Sequence, residues 1–199
     1  MSGDVHVRFC ESLRGKFPRA TRLVILCRRG QSGRVLMVLR QILERLELNL
    51  NETKTKTVNA YQGKFDFLGF SIWMETSRRT GKYYPHVQPS KKALQTIKDR
   101  VTQLTRRVTT VKPLEGIVWE VNATVRGWVN YFHYGNCSKT MAKVRGHVEA
   151  RLQTHLRKRH KVRNRGVGYA RFSSRTLYEK YGLYKVPTTA VWTKAHALR

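Results

Sequence analysis

Apolar residues recur along two different periods in this chain, and the change of period divides it. Over residues 31–48, Val35, Leu36, Leu39, Ile42, Leu43 and Leu46 share one face of a helix, while Arg34, Arg40, Glu44, Arg45 and Glu47 face away. Ser32 is the expected N-cap. Before it, LVILC at 23–27 is a short continuous apolar run stopped by Arg28, Arg29 and Gly30, and it predicts a buried strand. The polar run LNETKTKTV leads into a further strand near Thr55 to Val58. Phe65 to Trp73 then alternates aromatic and aliphatic residues, and Tyr83 to Val87 answers it across a turn holding Arg78, Arg79 and Gly81, so a β-hairpin with a basic turn is expected. Residues 1–20 show no sustained period, and Arg14, Gly15, Lys16 and Pro18 read as a loop.

Pro89-Ser90 marks the switch to helical spacing. Ser90 can cap a helix whose apolar positions are Ala93, Leu94, Ile97, Val101, Leu104 and Val108. A second helix follows Pro113, with Val121, Val125, Trp128, Val129 and Phe132 on one face and Asn122, Arg126 and Asn130 on the other. The spacing favours packing over base stacking for Trp128 and Phe132, and Gly127 beside them would allow another helix to approach closely. A third helix is expected over 138–159, with Met141, Val144, Val148, Leu152 and Leu156 inward and Lys139, Lys143, Arg145, Arg151, Arg157 and Lys158 outward. Three amphipathic helices joined by short connections make a small bundle. A short helix over 177–184 and a tail pinned by Trp192 would close the chain. The expected fold class is α+β.

Charge changes the picture most. Among 199 residues, 40 Lys and Arg face 12 Asp and Glu, a formal net charge of +28. Such an excess repels itself in a compact fold, and a polyanionic partner, nucleic acid first, is what would neutralise it. No run is long and apolar enough to cross a membrane, and the first residues lack the apolar core of a signal peptide, so a cytoplasmic protein without a membrane partner is expected. Cys10, Cys27 and Cys137 are odd in number and far apart, and the histidines lack ligand spacing, which fits neither a disulfide framework nor a zinc site. No metal or cofactor is expected. Residues 157–175, RKRHKVRNRGVGYARFSSR, mix cations with Tyr169 and Phe172, a composition that suits RNA: arginines for phosphates and aromatic faces for unpaired bases. A solvated basic linker is the plainer reading of the same run.

Several of these pieces stand in a known order. The helix, LNETKT at 50–55, FDFLGF at 65–70, the basic hairpin, PSKKAL at 89–94 and RGWVNYF at 126–132 together resemble the C-terminal part of bacterial group II intron-encoded reverse transcriptase/maturase proteins. The resemblance implies the end of a palm (strand, helix and hairpin) followed by a mainly helical thumb, the maturase-specific domain X, which helps hold intron RNA in its splicing-competent fold. On that basis the chain divides into an unmatched segment at 1–20, a partial palm at 21–88, a thumb at 89–185 and a tail at 186–199. Relatives carry Tyr-Ala-Asp-Asp before the strand that LVILC resembles, and here Arg19, Ala20, Thr21 and Arg22 stand there. Two-metal phosphoryl transfer needs carboxylate ligands, so the resemblance implies no polymerase activity for this chain alone and no catalytic residue. Asp66 belongs to the FDFLGF motif and not to the metal site, and Lys54, which lies near the polymerase site in relatives, has no partner for that role here.

The function expected is an RNA-binding maturase that assists folding and splicing of a group II intron. The alternatives are a truncated remnant of a reverse transcriptase and one subunit of a split enzyme completed by a complementary chain. Contacts to phosphate and 2′-hydroxyl are expected from Arg78, Arg79 and Lys82 on the hairpin turn, Lys91 and Lys92 at the thumb entry, Arg126, and Arg157, Lys158, Arg163 and Arg165. For each one singly, a merely solvated surface charge is as common an outcome.

Overall fold

A computed structural model describes residues 6–10, 13–14, 23–28, 30–52 and 55–189. Trp192, Lys54 and Arg19 to Arg22 lie outside the described residues. The chain forms two compact units, Met1–His86 and Val87–Arg199. The α+β expectation holds, with small antiparallel sheets followed by helices.

The first unit contains β1 (His6–Cys10), β2 (Leu13–Arg14), β3 (Leu23–Cys27), α1 (Ser32–Arg45), β4 (Asn49–Leu50), β5 (Lys56–Asn59), β6 (Phe65–Phe67), β7 (Phe70–Thr76) and most of β8 (Tyr83–Pro89). The sequence predicts no strand within residues 1–20, yet β1 and β2 form there, and Gly15, Lys16 and Pro18 of the expected loop lie outside the described residues. β1 is the central strand of a sheet ordered β3-β1-β5, antiparallel to both neighbours, with Val7 opposite Leu26 and Val58. Its signal was the five-residue alternation HVRFC, too short to stand out as a sustained period. β3 is a strand as expected but not a buried one: Val24 and Ile25 are half-buried and Leu26 is exposed. Ser32 is the first helical residue of α1, and the N-cap is Gln31, which makes no side-chain capping bond. Leu39 and Leu43 are buried, whereas Met37, Val38, Ile42 and Leu46 are exposed, so half of the apolar face of α1 is uncovered.

FDFLGF is not the start of one long strand. Leu68 (φ 47°) and Gly69 (φ 82°) turn the chain back, pairing Phe67 with Phe70, Asp66 with Ser71 and Phe65 with Ile72. Two successive positive φ values give a turn whose twist matches a two-residue hairpin, a conformation glycine adopts freely and leucine does not. The Ser71 hydroxyl donates to the Asp66 carboxylate. The resulting sheet is β6-β7-β8, with Ala60 and Phe65 buried beneath Val58, Phe67, Ile72 and Met74.

The second unit is built from α2 (Lys91–Leu104), a 3₁₀ turn (Arg107–Val111), α3 (Leu114–Phe132), α4 (Ser138–Arg159), α5 (Arg165–Arg171) and α6 (Ser174–Glu179). Ser90 caps α2 as expected, accepting from Ala93 N at 3.1 Å. One core joins Ile97 and Val101 of α2, Val121, Val125 and Val129 of α3, Met141, Val144, Val148, Leu152 and Leu156 of α4, and Phe172, Leu177, Leu183 and Val186 beyond it. Trp128 and Phe132 pack half-buried against this core, as their spacing predicted. Gly127 is corrected: a Cβ there would meet nothing within 4 Å, so no helix approaches it. Val108 leaves the helical face because α2 ends at Leu104. The short helix near 177–184 is α6, which begins and ends earlier.

Polar ties hold the bundle together. Glu149 accepts from Ser174 Oγ at 2.7 Å, from Arg145 Nε at 3.0 Å and from the Tyr178 hydroxyl. Burial pushes Glu149 up, but the hydrogen bonds from Tyr178, Ser174 and Arg145 outweigh it and hold the carboxyl below its ordinary value. Burial, with the bond to Glu149, pushes the Tyr178 phenol up to about 12. Burial also lowers His147, His155 and His160, and in each case neighbouring cations add to the effect. A histidine lowered in the folded state stabilises the fold fully above its unfolded value near 6.5, and that contribution is lost as pH falls below it. A lowered carboxylate is lost only at still lower pH. The urea midpoint is therefore expected to fall between pH 8 and pH 5.5; an unchanged midpoint would contradict this assignment.

Candidate nucleic-acid interface

α4 carries Arg157, Lys158 and Arg159 in its last turn, where cations complement the partial negative charge of the helix end. Two of the α4 arginines turn inward to polar partners on neighbouring segments. Arg151 donates from Nε to Thr105 Oγ1 at 3.1 Å and from Nη2 to the carbonyls of Thr102 and Thr105 at 3.3 and 3.1 Å, which satisfies acceptors at the end of α2. Arg159 Nη1 donates to the carbonyl of Thr110 at 2.8 Å and also to that of Lys112. Arg145 is likewise committed, to Glu149 and Tyr178. The expectation that Arg145 and Arg151 simply face solvent is thus corrected: a guanidinium offers several donors in one plane, and both are spent on the protein.

The Arg159 bonds bring residues 105–112 against the end of α4, and α5 packs there too. Neither 105–112 nor 157–171 contains an Asp or Glu. Arg106, Arg107, Lys112, Lys158, Lys161, Arg163, Arg165 and Arg171 are all exposed on these two segments. This is a pole of positive charge on a folded end of the bundle, the arrangement that attracts a phosphate backbone.

Residues 94–172 match the group II intron, maturase-specific domain family. The match runs from within α2 to Phe172 and takes in the whole basic pole, so the resemblance read from the motifs holds over this segment as the C-terminal part of a group II intron protein. A search of curated proteins returns no match to the chain.

Within the maturase-specific segment, the nominated cations do not form one surface. Lys158, Arg163 and Arg165 are exposed at the basic pole. Arg157 is half-buried: its Nη1 donates to the Arg163 carbonyl at 3.4 Å, and its stem fills the space beside Gly168, where an added Cβ would lie 2.7 Å from Cδ. Arg126 is exposed on α3, its guanidinium 5.3 Å from the Tyr184 ring. Tyr184 is fixed by its N–H donating to Asn122 Oδ1 at 2.8 Å, so Asn122 ties down the chain after α6 instead of facing solvent alone. Lys91 and Lys92, exposed just before the segment, open the first turn of α2. α2 and α4 run in the same direction, since Lys98 meets His147 and Thr105 meets Arg151, which places these lysines roughly 25 Å along the axis from Lys158. Arg78, Arg79 and Lys82 are exposed on the β7–β8 turn of the first unit.

The basic run 157–175 is not a linker. Asn164 caps α5 and Ser173 caps α6, accepting from Val167 N at 3.2 Å and Thr176 N at 3.3 Å. Phe172 is 2% exposed and belongs to the core, which corrects its reading as a stacking platform. Tyr169 is exposed, its hydroxyl accepting from Arg165 at 3.2 Å. An apolar period that runs on to Val108 places Arg106 and Arg107 inside the expected helix, and Lys112 follows it as a single cation. The consecutive cations just past Leu104 were the available signal. Among the described residues no helix is long and apolar enough to cross a membrane, and no group of three His, Cys, Asp or Glu could hold a metal.

Proposed function

We propose that this protein binds group II intron RNA in the cytoplasm, assists its folding and splicing, and adds no nucleotides itself. The observation that carries the reading is the match of residues 94–172 to the maturase-specific domain; the basic pole within that segment supports it. The absence of polymerase chemistry is supported by Arg19, Ala20, Thr21 and Arg22 standing where relatives carry Tyr-Ala-Asp-Asp. In this reading residues 21–88 are a partial palm, 89–185 the thumb and 186–199 a tail. The test is splicing of the surrounding intron at low magnesium with and without the protein.

A second reading, one subunit of a split reverse transcriptase, is favoured by one observation. Ile25, Val35, Val38 and Ile42 line an apolar cleft of about 360 Å³ in the first unit, and Val38 and Ile42 are exposed. An uncovered apolar face of this kind on a small sheet-and-helix unit suits a protein partner. Purification without any chain that supplies the palm aspartates would count against it.

A further inference from the structure

The 3₁₀ turn at the basic pole has a property its charge does not explain. Val108 and Val111 are 77% and 87% exposed, the most exposed large apolar side chains among the described residues, and they sit between Arg106-Arg107 and Lys112. A single exposed valine is ordinary, but here two stand on one short turn that hydrogen bonds tie to the end of α4. Arg159 donates to the carbonyls of Thr110 and Lys112. Thr109 Oγ1 donates to Leu104 O and Arg106 O at 3.0 and 2.7 Å, and Thr110 Oγ1 to Arg107 O at 2.7 Å. Arg151 anchors the residue that enters the turn, Thr105. The protein therefore spends two arginines and two threonines on fixing a short prominence whose outward side chains are two small aliphatics and three cations.

We propose that this turn, residues 106–112, is a docking knob for double-helical RNA, with Val108 and Val111 against the ribose surface of the wide, shallow minor groove and Arg106, Arg107 and Lys112 on the flanking phosphates. The proposal rests on the RNA-binding reading above and names the surface and the RNA form. Charge complementarity selects a polyanion, since no Asp or Glu lies in residues 105–112 or 157–171. The side chains select the form. Single-stranded RNA is gripped by aromatic faces that stack on splayed bases, and the knob has none; duplex RNA is recognised by shape, through sugar and phosphate contacts across the minor groove, which short aliphatics on a rigid turn can fill. B-form DNA has a narrower, deeper minor groove without 2′-hydroxyls and fits the knob less well.

The test is equilibrium binding of the full chain to an RNA duplex of about two turns, a DNA duplex of the same sequence and a single-stranded RNA of the same length, across a salt series. The wild type is expected to prefer the RNA duplex. Arg106→Gln/Arg107→Gln is expected to lose at least tenfold in affinity for it and to flatten the salt dependence by about two released counterions. Val108→Ala/Val111→Ala is expected to lower the RNA-over-DNA preference at least threefold with the salt dependence unchanged. Lys91→Gln/Lys92→Gln, at the far end of the bundle, is expected to change less than the arginine pair. All these positions are exposed, so unchanged melting confirms that the variants are folded. Wild-type-like RNA-duplex binding by both knob variants overturns the proposal and leaves the functional reading standing. Tighter wild-type binding to single strands also overturns it, and no salt-sensitive binding of any RNA by the wild type overturns both.

Discussion

Phe172→Ala is expected to destabilise the helical unit by about 3–5 kcal/mol, a large share of the roughly 5–15 that hold a domain of this kind. The ring is buried among the residues that close the bundle and stacks at 5.3 Å on His160, so its removal opens a cavity between α4 and α5. The comparison with Tyr169→Ala makes the result decisive. Tyr169 is 37% exposed, lies outside the core and pairs with Arg165, so its replacement costs much less burial than that of Phe172, which is 2% exposed. Thermal melting should separate them: a large fall in midpoint for Phe172→Ala and little change for Tyr169→Ala. If Phe172→Ala melts like the wild type and only RNA binding suffers, Phe172 is a stacking residue and the packing described here is wrong.

Gly135→Ala is expected to cost roughly 3 kcal/mol, from left-handed backbone strain and a steric clash together. Gly135 has φ 61°, and a Cβ would lie 2.7 Å from the Val87 carbonyl oxygen. That oxygen also accepts from Asn136 N at 2.8 Å, so the α3–α4 connection is laid directly onto the strand that enters the helical unit. The clash is with backbone, which cannot rotate away. A fall in the melting midpoint on the order of 10–20 °C is expected. Gly127→Ala, where space is open, serves as the comparison and should not fall. Equal melting of Gly135→Ala and wild type would contradict the placement of this loop.

Long helical periods were readable because many residues repeat one message. Met141, Val144, Val148, Leu152 and Leu156 are all buried as their spacing required, and α4 has the bounds the pattern gave. Short strands carry less information. The five alternating residues of β1 are too few to register, and FDFLGF reads as continuous because its turn is made by a leucine in a conformation that leucine seldom adopts. Depth of burial in the first unit was overestimated for a related reason: apolar sequence shows that a face can be covered, not that it is. The candidate interface was legible as charge and not as geometry. A sequence shows that Arg151, Arg157 and Arg163 are cations, but not that Arg151 is spent on the end of α2, that the Arg157 stem lies against Gly168, or that Arg163 is exposed. For Arg106 and Arg107 the sequence offers a signal, two consecutive cations, but their place at the basic pole follows from the end of α2 at Leu104.

The claim that the protein assists group II intron splicing is tested most directly by incubating the intron that surrounds its reading frame at low magnesium, with and without the full chain, and measuring the fraction spliced over time. The account predicts that the RNA alone stays largely unspliced, that the protein restores splicing, and that the gain disappears as salt is raised, as binding through phosphate contacts would. Splicing that is the same with and without the protein, under conditions where the RNA alone is slow, would contradict it.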